Sequence, residues 1–255
     1  MKKLLRSFVI CFSMYSRIPM PRVEWTADNM RYVFAFFPLI GLLIGGVQVG
    51  WFLLASFWKL NGLLYAVIAT VLPLLITGGI HMDGYMDTCD AAFSYGDRDK
   101  KLEIMKDPRS GAFAVIYCGI YLLVAFGLFA QLYQNASLIA VAFVGIGHLL
   151  SRALCGLCTV GMPPAKDSGL AYLFRDSSDR KCSKVILSIW LVLLFAGMAL
   201  LSLWGAALTA GIIAVFFTLY LPFCKKQFGG ITGDLVGAAL QFTELLILIC
   251  AVIPV

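Results

Sequence analysis

The sequence predicts an all-α, polytopic membrane bundle of about seven transmembrane helices, six being the alternative count. Three observations predict it. Apolar runs near the roughly 20 residues needed to cross a bilayer recur along the chain. Only 13% of the 255 residues are charged, 61% are hydrophobic and mean hydropathy is +0.90, far from the balance of a soluble domain. Eighteen of the twenty Lys and Arg fall in alternate connections, which is how membrane topology is written.

The elements follow in order, as one integral membrane domain over residues 1–255. Residues 1–29 read as an interfacial segment. Leu4, Leu5, Phe8, Val9 and Phe12 line one face, and Lys2, Lys3, Arg6 and Arg17 face headgroups. The basic-then-apolar start is short, broken by Ser13 and lacks a small-residue cleavage site, so no signal peptide is expected. SRIPMPR, from Ser16 to Arg22, is a proline-broken turn. The expected spans are Tyr32–Phe57, Leu63–Ile80, Ala112–Tyr133, Ser137–Val160, Val185–Trp204, Ala206–Phe223 and Leu235–Val255.

Six Lys and Arg precede the first span, five lie between spans two and three, five between four and five, and two between six and seven. The positive-inside rule makes that side cytoplasmic, with the N-terminus inside and the C-terminus outside. The net charge of +6 therefore reflects topology and does not argue for nucleic acid. Thirteen of the fourteen acidic residues share the same side or its span edges, and Glu244 alone lies well within a span. The eight cysteines form no secreted disulfide framework. Cys155 and Cys158 lack the further ligands zinc needs and read as packing.

The chemistry concentrates in Thr77–Gly111, which holds seven of the fourteen acidic residues. Asp83, Asp87 and Asp90 are spaced i, i+4, i+7, which puts three carboxylates on one face of a helix. Such a cluster repels itself unless a cation joins it, and Mg²⁺ takes oxygen ligands together with substrate phosphates. The expectation is a magnesium-dependent enzyme acting on a diphosphate at the cytoplasmic membrane face. A solvated acidic loop is the bland alternative. Asp83 and Asp87 are the expected Mg²⁺ ligands, with Asp90, Asp107 or Asp234 completing the shell. His81 is either a general acid or base or an orienting partner. Lys106 and Arg109 are phosphate candidates beside the carboxylates.

Two further constellations fall downstream. In FGGITGDLVGAALQFTE, Gly229, Gly230 and Gly233 make a loop whose N–H groups suit phosphate, with Thr232 within it. Asp234 opens the last span, as a metal ligand or a favourable charge at the helix N-terminus. Gly237, Gln241 and Glu244 extend a polar face expected to line the substrate cavity. Ser151 and Arg152 lie inside span four, and the Arg needs a partner, either Glu244 or a substrate phosphate. Lys166, in the long loop 161–184, either covers substrate or is an ordinary loop lysine.

GGIHMDGYMDTCD and RDKKLEIMKDPRSGAF, with SRIPMP, FPLIGLLIG, Ser151-Arg152 and GGITGDLVGAALQFTE, resemble the cobalamin synthase family (adenosylcobinamide-GDP ribazoletransferase). The resemblance implies that α-ribazole, or its 5′-phosphate, attacks adenosylcobinamide-GDP and releases GMP. It implies Mg²⁺, an inner-membrane location and partners limited to those substrates and lipid, with a homo-oligomer open. The rival readings are a CDP-alcohol phosphotransferase, a membrane prenyltransferase and a transporter. The first lacks half its signature here, the second lacks a second Asp-rich helix, and the third lacks paired charges at mid-membrane.

Overall fold

The structure, a computed structural model, describes residues 2–135 and 137–253. It contains twelve helices among those residues: α1 Lys2–Tyr15, α2 Ala27–Met30, α3 Val33–Phe57, α4 Gly62–Thr77, α5 Ile80–Phe93, α6 Arg98–Ile104, α7 Ala112–Gln134, α8 Leu138–Gly161, α9 Leu170–Ser177, α10 Arg180–Leu201, α11 Leu203–Phe228 and α12 Gly233–Val252. Six of them, α3, α7, α8, α10, α11 and α12, are long and apolar enough to cross a membrane. The bent pair α4 and α5 reaches that length only when its two helices are taken together.

That bend corrects the second expected span. Leu63–Ile80 does not run through as one helix. Gly78 and Gly79 take φ of 69° and 77°, the left-handed region open chiefly to glycine, and the chain turns by 97° between α4 and α5. The apolar crossing ends at Thr77, and Ile80 begins a separate helix directed across it. A second boundary also moves. Ser202 leaves the helical region and caps α11 through its hydroxyl, so Trp204 belongs to the sixth span and not the fifth. Residue 1 of the expected interfacial segment and residues 254 and 255 of the expected last span lie outside the described residues.

α3 and α8 form the spine of the bundle, and glycine lets them touch. A Cβ on Gly41 would come within 2.3 Å of the His148 carbonyl oxygen, and one on Gly45 within 2.6 Å of the Gly145 oxygen. Small residues at such contacts let backbones approach where lipid supplies no hydrophobic drive between helices. Several polar side chains inside the bundle bond to backbone carbonyls of neighbouring helices, which replaces the water they lack. Gln48 Nε2 donates to the Ala69 carbonyl at 2.7 Å, and Trp51 Nε1 to that of Tyr65 at 3.1 Å.

The first helix differs from expectation. Ser7, Ile10 and Cys11 bury against the bundle while Leu4 and Leu5 stay exposed, so the packed face is rotated from the one the apolar residues suggest. Ser7 Oγ donates to the Asn29 carbonyl at 2.6 Å and fixes α1 against α2. Arg17 is exposed, as Lys2, Lys3 and Arg6 are, but it lies against the bend between α4 and α5. Its backbone N–H donates to Ile76, and its guanidinium lies over Gly78, where a Cβ would come within 2.1 Å of Nε.

Deep in the bundle, Arg152 of α8 is 1% exposed and pairs with Glu244 of α12. His148 Nδ1 meets Glu244 Oε1 at 2.8 Å, and Ser151 Oγ donates to the same oxygen at 3.2 Å. Glu244 is thus the partner that the intramembrane Arg requires. Removing one member of such a pair leaves a buried charge uncompensated.

Two outcomes follow, both checked by thermal or denaturant unfolding in detergent. Gly41→Ala destabilises by about 1–3 kcal/mol through overpacking, whereas Gly46→Ala, which meets nothing within 4 Å, stabilises by about 0.5 kcal/mol. Glu244→Ala destabilises by about 3–5 kcal/mol by stranding Arg152.

Candidate active site

α5 carries Asp83, Asp87 and Asp90 on its open side, while His81, Tyr85, Thr88 and Cys89 bury on the other. The spacing argument therefore holds in three dimensions. Gly84 lets this helix lie directly on the start of α12. A Cβ there would come within 2.8 Å of the Asp234 Cα. Asp234 is thereby brought into the electrostatic range of Asp83 and Asp87. Asp90 leans on Gly111, where a Cβ would come within 2.2 Å of both carboxylate oxygens, against the start of α7. Among the described residues none of these four carboxylates forms a salt bridge with a protein cation.

The cost of that crowding shows at Asp87. Helix α5 is bent by 97° from α4 and is not among the six helices that by themselves are long and apolar enough to cross a membrane. Partial burial, then the charges of Asp83, Asp234 and Asp90, push it up to about 7. Among the described residues no three His, Cys, Asp or Glu side chains converge into a ready-made metal cage. Mg²⁺ does not require one. It keeps several waters and uses one or two carboxylates plus substrate phosphates. Hard oxygen donors without a counter-ion, facing a cavity, fit that ion.

Three cavities meet at the aspartates. One of ≈ 320 Å³ is walled by Tyr15, Phe34, Phe37, His81 and Phe174, with Asp83 and Asp234 among its lining residues. One of ≈ 250 Å³ is lined by Lys106, Lys166, Gly169, Thr232, Gly233 and Asp234. A wider one of ≈ 650 Å³ is lined by Arg17, Gly78, Gly79 and Asp83. Asp83 borders the first and third, and Asp234 the first and second. Thr232 caps α12 by accepting from the Leu235 N–H at 3.2 Å, which holds Gly233 and Asp234 at the cavity.

The other expected residues divide. Lys106 and Lys166 share the basic cavity, and Lys166 Nζ donates to the Leu102 carbonyl at 3.0 Å. Burial and the nearby Lys106 hold the Lys166 ammonium below its usual value. Asp107 and Arg109 engage each other, Nη2 to Oδ2 at 2.9 Å and Nε to Oδ1 at 3.0 Å. That pairing holds the Asp107 carboxyl down at about 2 and leaves both away from these three cavities. Gly230 packs against backbone. A Cβ there would come within 2.7 Å of the Pro163 oxygen and Ala165 nitrogen, and the flanking Ile231 pairs with Pro164. The Gly229 and Ile231 N–H groups donate within the protein, so the glycine loop holds its shape with bonds already made. Ser151 and Arg152 belong to the buried Glu244 cluster. Gln241 and Glu244 border a separate space of ≈ 30 Å³, about one water's share of liquid volume. The polar face of α12 thus serves two places.

Sequence reading missed Tyr15, Phe37, Phe174 and the place of Arg17 beside Gly78. The only local signal was Arg17 beside the proline-broken turn, too short a segment to fix its direction.

The four basic segments meet at one end of the bundle. Arg31 bonds Asp179 at 2.8 Å, Arg98 bonds the Ala165 carbonyl at 3.0 Å and Lys101 bonds Gln227 at 2.8 Å. The site lies among them.

The chain is similar to known proteins over nearly its full length. The chain is 42% identical over 246 residues to the adenosylcobinamide-GDP ribazoletransferase of Lachnoclostridium phytofermentans, covering 96% of this chain and 92% of the relative. It is 34% identical over 250 residues to the enzyme of that name from Clostridium botulinum, covering 96% of each. It is 36% identical over 249 residues to that from a Geobacillus species, covering 96% and 94%. No solved structure matches. The model of the cobalamin-5-phosphate synthase family matches residues 7–252, and this multi-pass membrane chain belongs to that family.

Proposed function

We propose that this protein joins α-ribazole, or its 5′-phosphate, to adenosylcobinamide-GDP. A ribose hydroxyl attacks the phosphorus linked to cobinamide, a new P–O bond forms, the bond to GMP breaks, and GMP leaves with the electron pair. One observation carries the reading. Carboxylates from α5 and α12, without a protein counter-ion, stand between a basic cavity and an aromatic one. The relatives, which are adenosylcobinamide-GDP ribazoletransferases, supply the substrate class.

Asp83 and Asp87, with Asp234 or Asp90, hold Mg²⁺ in this scheme. Held there, Mg²⁺ would supply charge neutralisation for the diphosphate and the departing GMP. Lys106 and Lys166 bind phosphate oxygens on the other side of Asp234. A carboxylate oxygen not engaged by the ion accepts the hydroxyl proton. Burial keeps His81 neutral, and its ring lies between Tyr15 and Phe37 at 5.8 Å from each centroid, which suits positioning more than proton exchange with solvent. The basic end faces the cytoplasm of a plasma membrane by the positive-inside rule.

Asp83→Asn and Asp87→Asn lower kcat for GMP release on the order of 10²–10³-fold, while Asp99→Asn, on the exposed first turn of α6, stays within about twofold. Near-normal turnover in both site variants would remove the assignment. A second outcome follows from the raised value of Asp87. The folded protein retains a proton there that the unfolded chain releases near pH 4. Without divalent cation, stability is therefore full below that pH and falls as pH rises through about 7. Melting curves from pH 5 to 8 show this slope. Mg²⁺ at pH 8 restores the melting temperature, and Asp87→Asn abolishes the slope.

A further inference from the structure

Four rings from four separate elements close on one another beside the aspartates. Tyr15 of α1 lies 4.4 Å from Phe37 of α3, both lie 5.8 Å from His81 of α5, and Tyr15 is 6.3 Å from Phe174 of α9. They wall the ≈ 320 Å³ cavity whose lining includes Asp83 and Asp234. Its polar inventory is short. Thr159 spends its hydroxyl on the Cys155 carbonyl. His81 Nε2 is buried without a partner, and the Tyr15 hydroxyl makes no hydrogen bond among the described residues. Guanine brings several donors and acceptors, each of which needs a partner when buried, and beyond the two carboxylates this wall is mostly apolar. A benzimidazole joined to ribose brings one free ring nitrogen and otherwise apolar surface. A corrin macrocycle is too large for the space.

We infer that this aromatic chamber is the acceptor subsite, binding the planar benzimidazole of the riboside among Tyr15, Phe37 and Phe174, with the ribose directed at Asp83 and Asp234. The inference rests on the proposed activity and adds the place and chemistry of acceptor recognition. The arrangement is ordered. The base lies on one side of Asp234, the diphosphate lies on the lysine side, and the attacking hydroxyl arrives where both meet. Riboside and riboside 5′-phosphate share the base, so the chamber accepts either.

The test uses the full chain in nanodiscs. Binding of α-ribazole without donor is followed by tryptophan fluorescence, since Trp25 stacks edge-on against Phe174 at 5.4 Å. Phe174→Leu and Tyr15→Leu keep apolar bulk and remove a ring. Each weakens riboside binding and raises its KM by about fivefold or more, while the KM of adenosylcobinamide-GDP stays within about twofold. In the unmodified protein, free benzimidazole inhibits competitively against the acceptor and not against the donor, which requires no substitution to fold. Competition by guanosine for the chamber, with the donor KM rising instead, would assign it to the nucleotide and overturn the inference. Equal movement of both KM values would overturn it too, by making the rings scaffold. Riboside binding without GMP release would instead sink the proposed activity and leave the subsite standing.

Discussion

Backbone contact between α5 and α12 at Gly84 is the constraint on which the site depends. It draws carboxylates from two helices together without a protein cation among them. Repulsion of that kind persists only where the surrounding fold imposes it. Here the imposition is structural on every side. Gly78 and Gly79 aim α5 across the bundle, Thr232 fixes the first turn of α12, and Gly111 receives Asp90.

The same chain handles a second set of charges in the opposite way. Arg152, Glu244, His148 and Ser151 pair with one another in the bundle core, with Arg152 Nε and His148 Nε2 left over. A membrane interior favours such closure, because an unpaired charge there has no solvent to turn to. The contrast separates the roles. The core cluster sets its charges against each other, and the aspartate cluster is left short of positive charge beside open space.

Much of this was legible in the sequence, and what was not has identifiable causes. The carboxylate face of α5 is a local property of spacing, and spacing survives folding. The apolar runs and basic connections likewise write the bundle directly. The bend at Gly78–Gly79 was hidden because consecutive glycines signal either close approach or a turn, and here they supply the turn. Gly230 shows the reverse ambiguity. A missing Cβ serves a phosphate or a neighbouring backbone equally well, and it serves Pro163–Ala165. Arg152 had two eligible partners, and only the packing of α8 on α12 chose between them. The aromatic chamber had no sequence signature. Its rings come from positions 15, 37, 81 and 174, and apart from His81 each is an ordinary aromatic residue within its own helix.

The amphipathic first helix has a bearing on how the molecule is handled. Tyr15 closes one side of the chamber from the last residue of α1. Deleting the opening fifteen residues as a dispensable anchor would spare every crossing helix. The shortened polypeptide would insert normally and still have a gap in the wall beside its carboxylates.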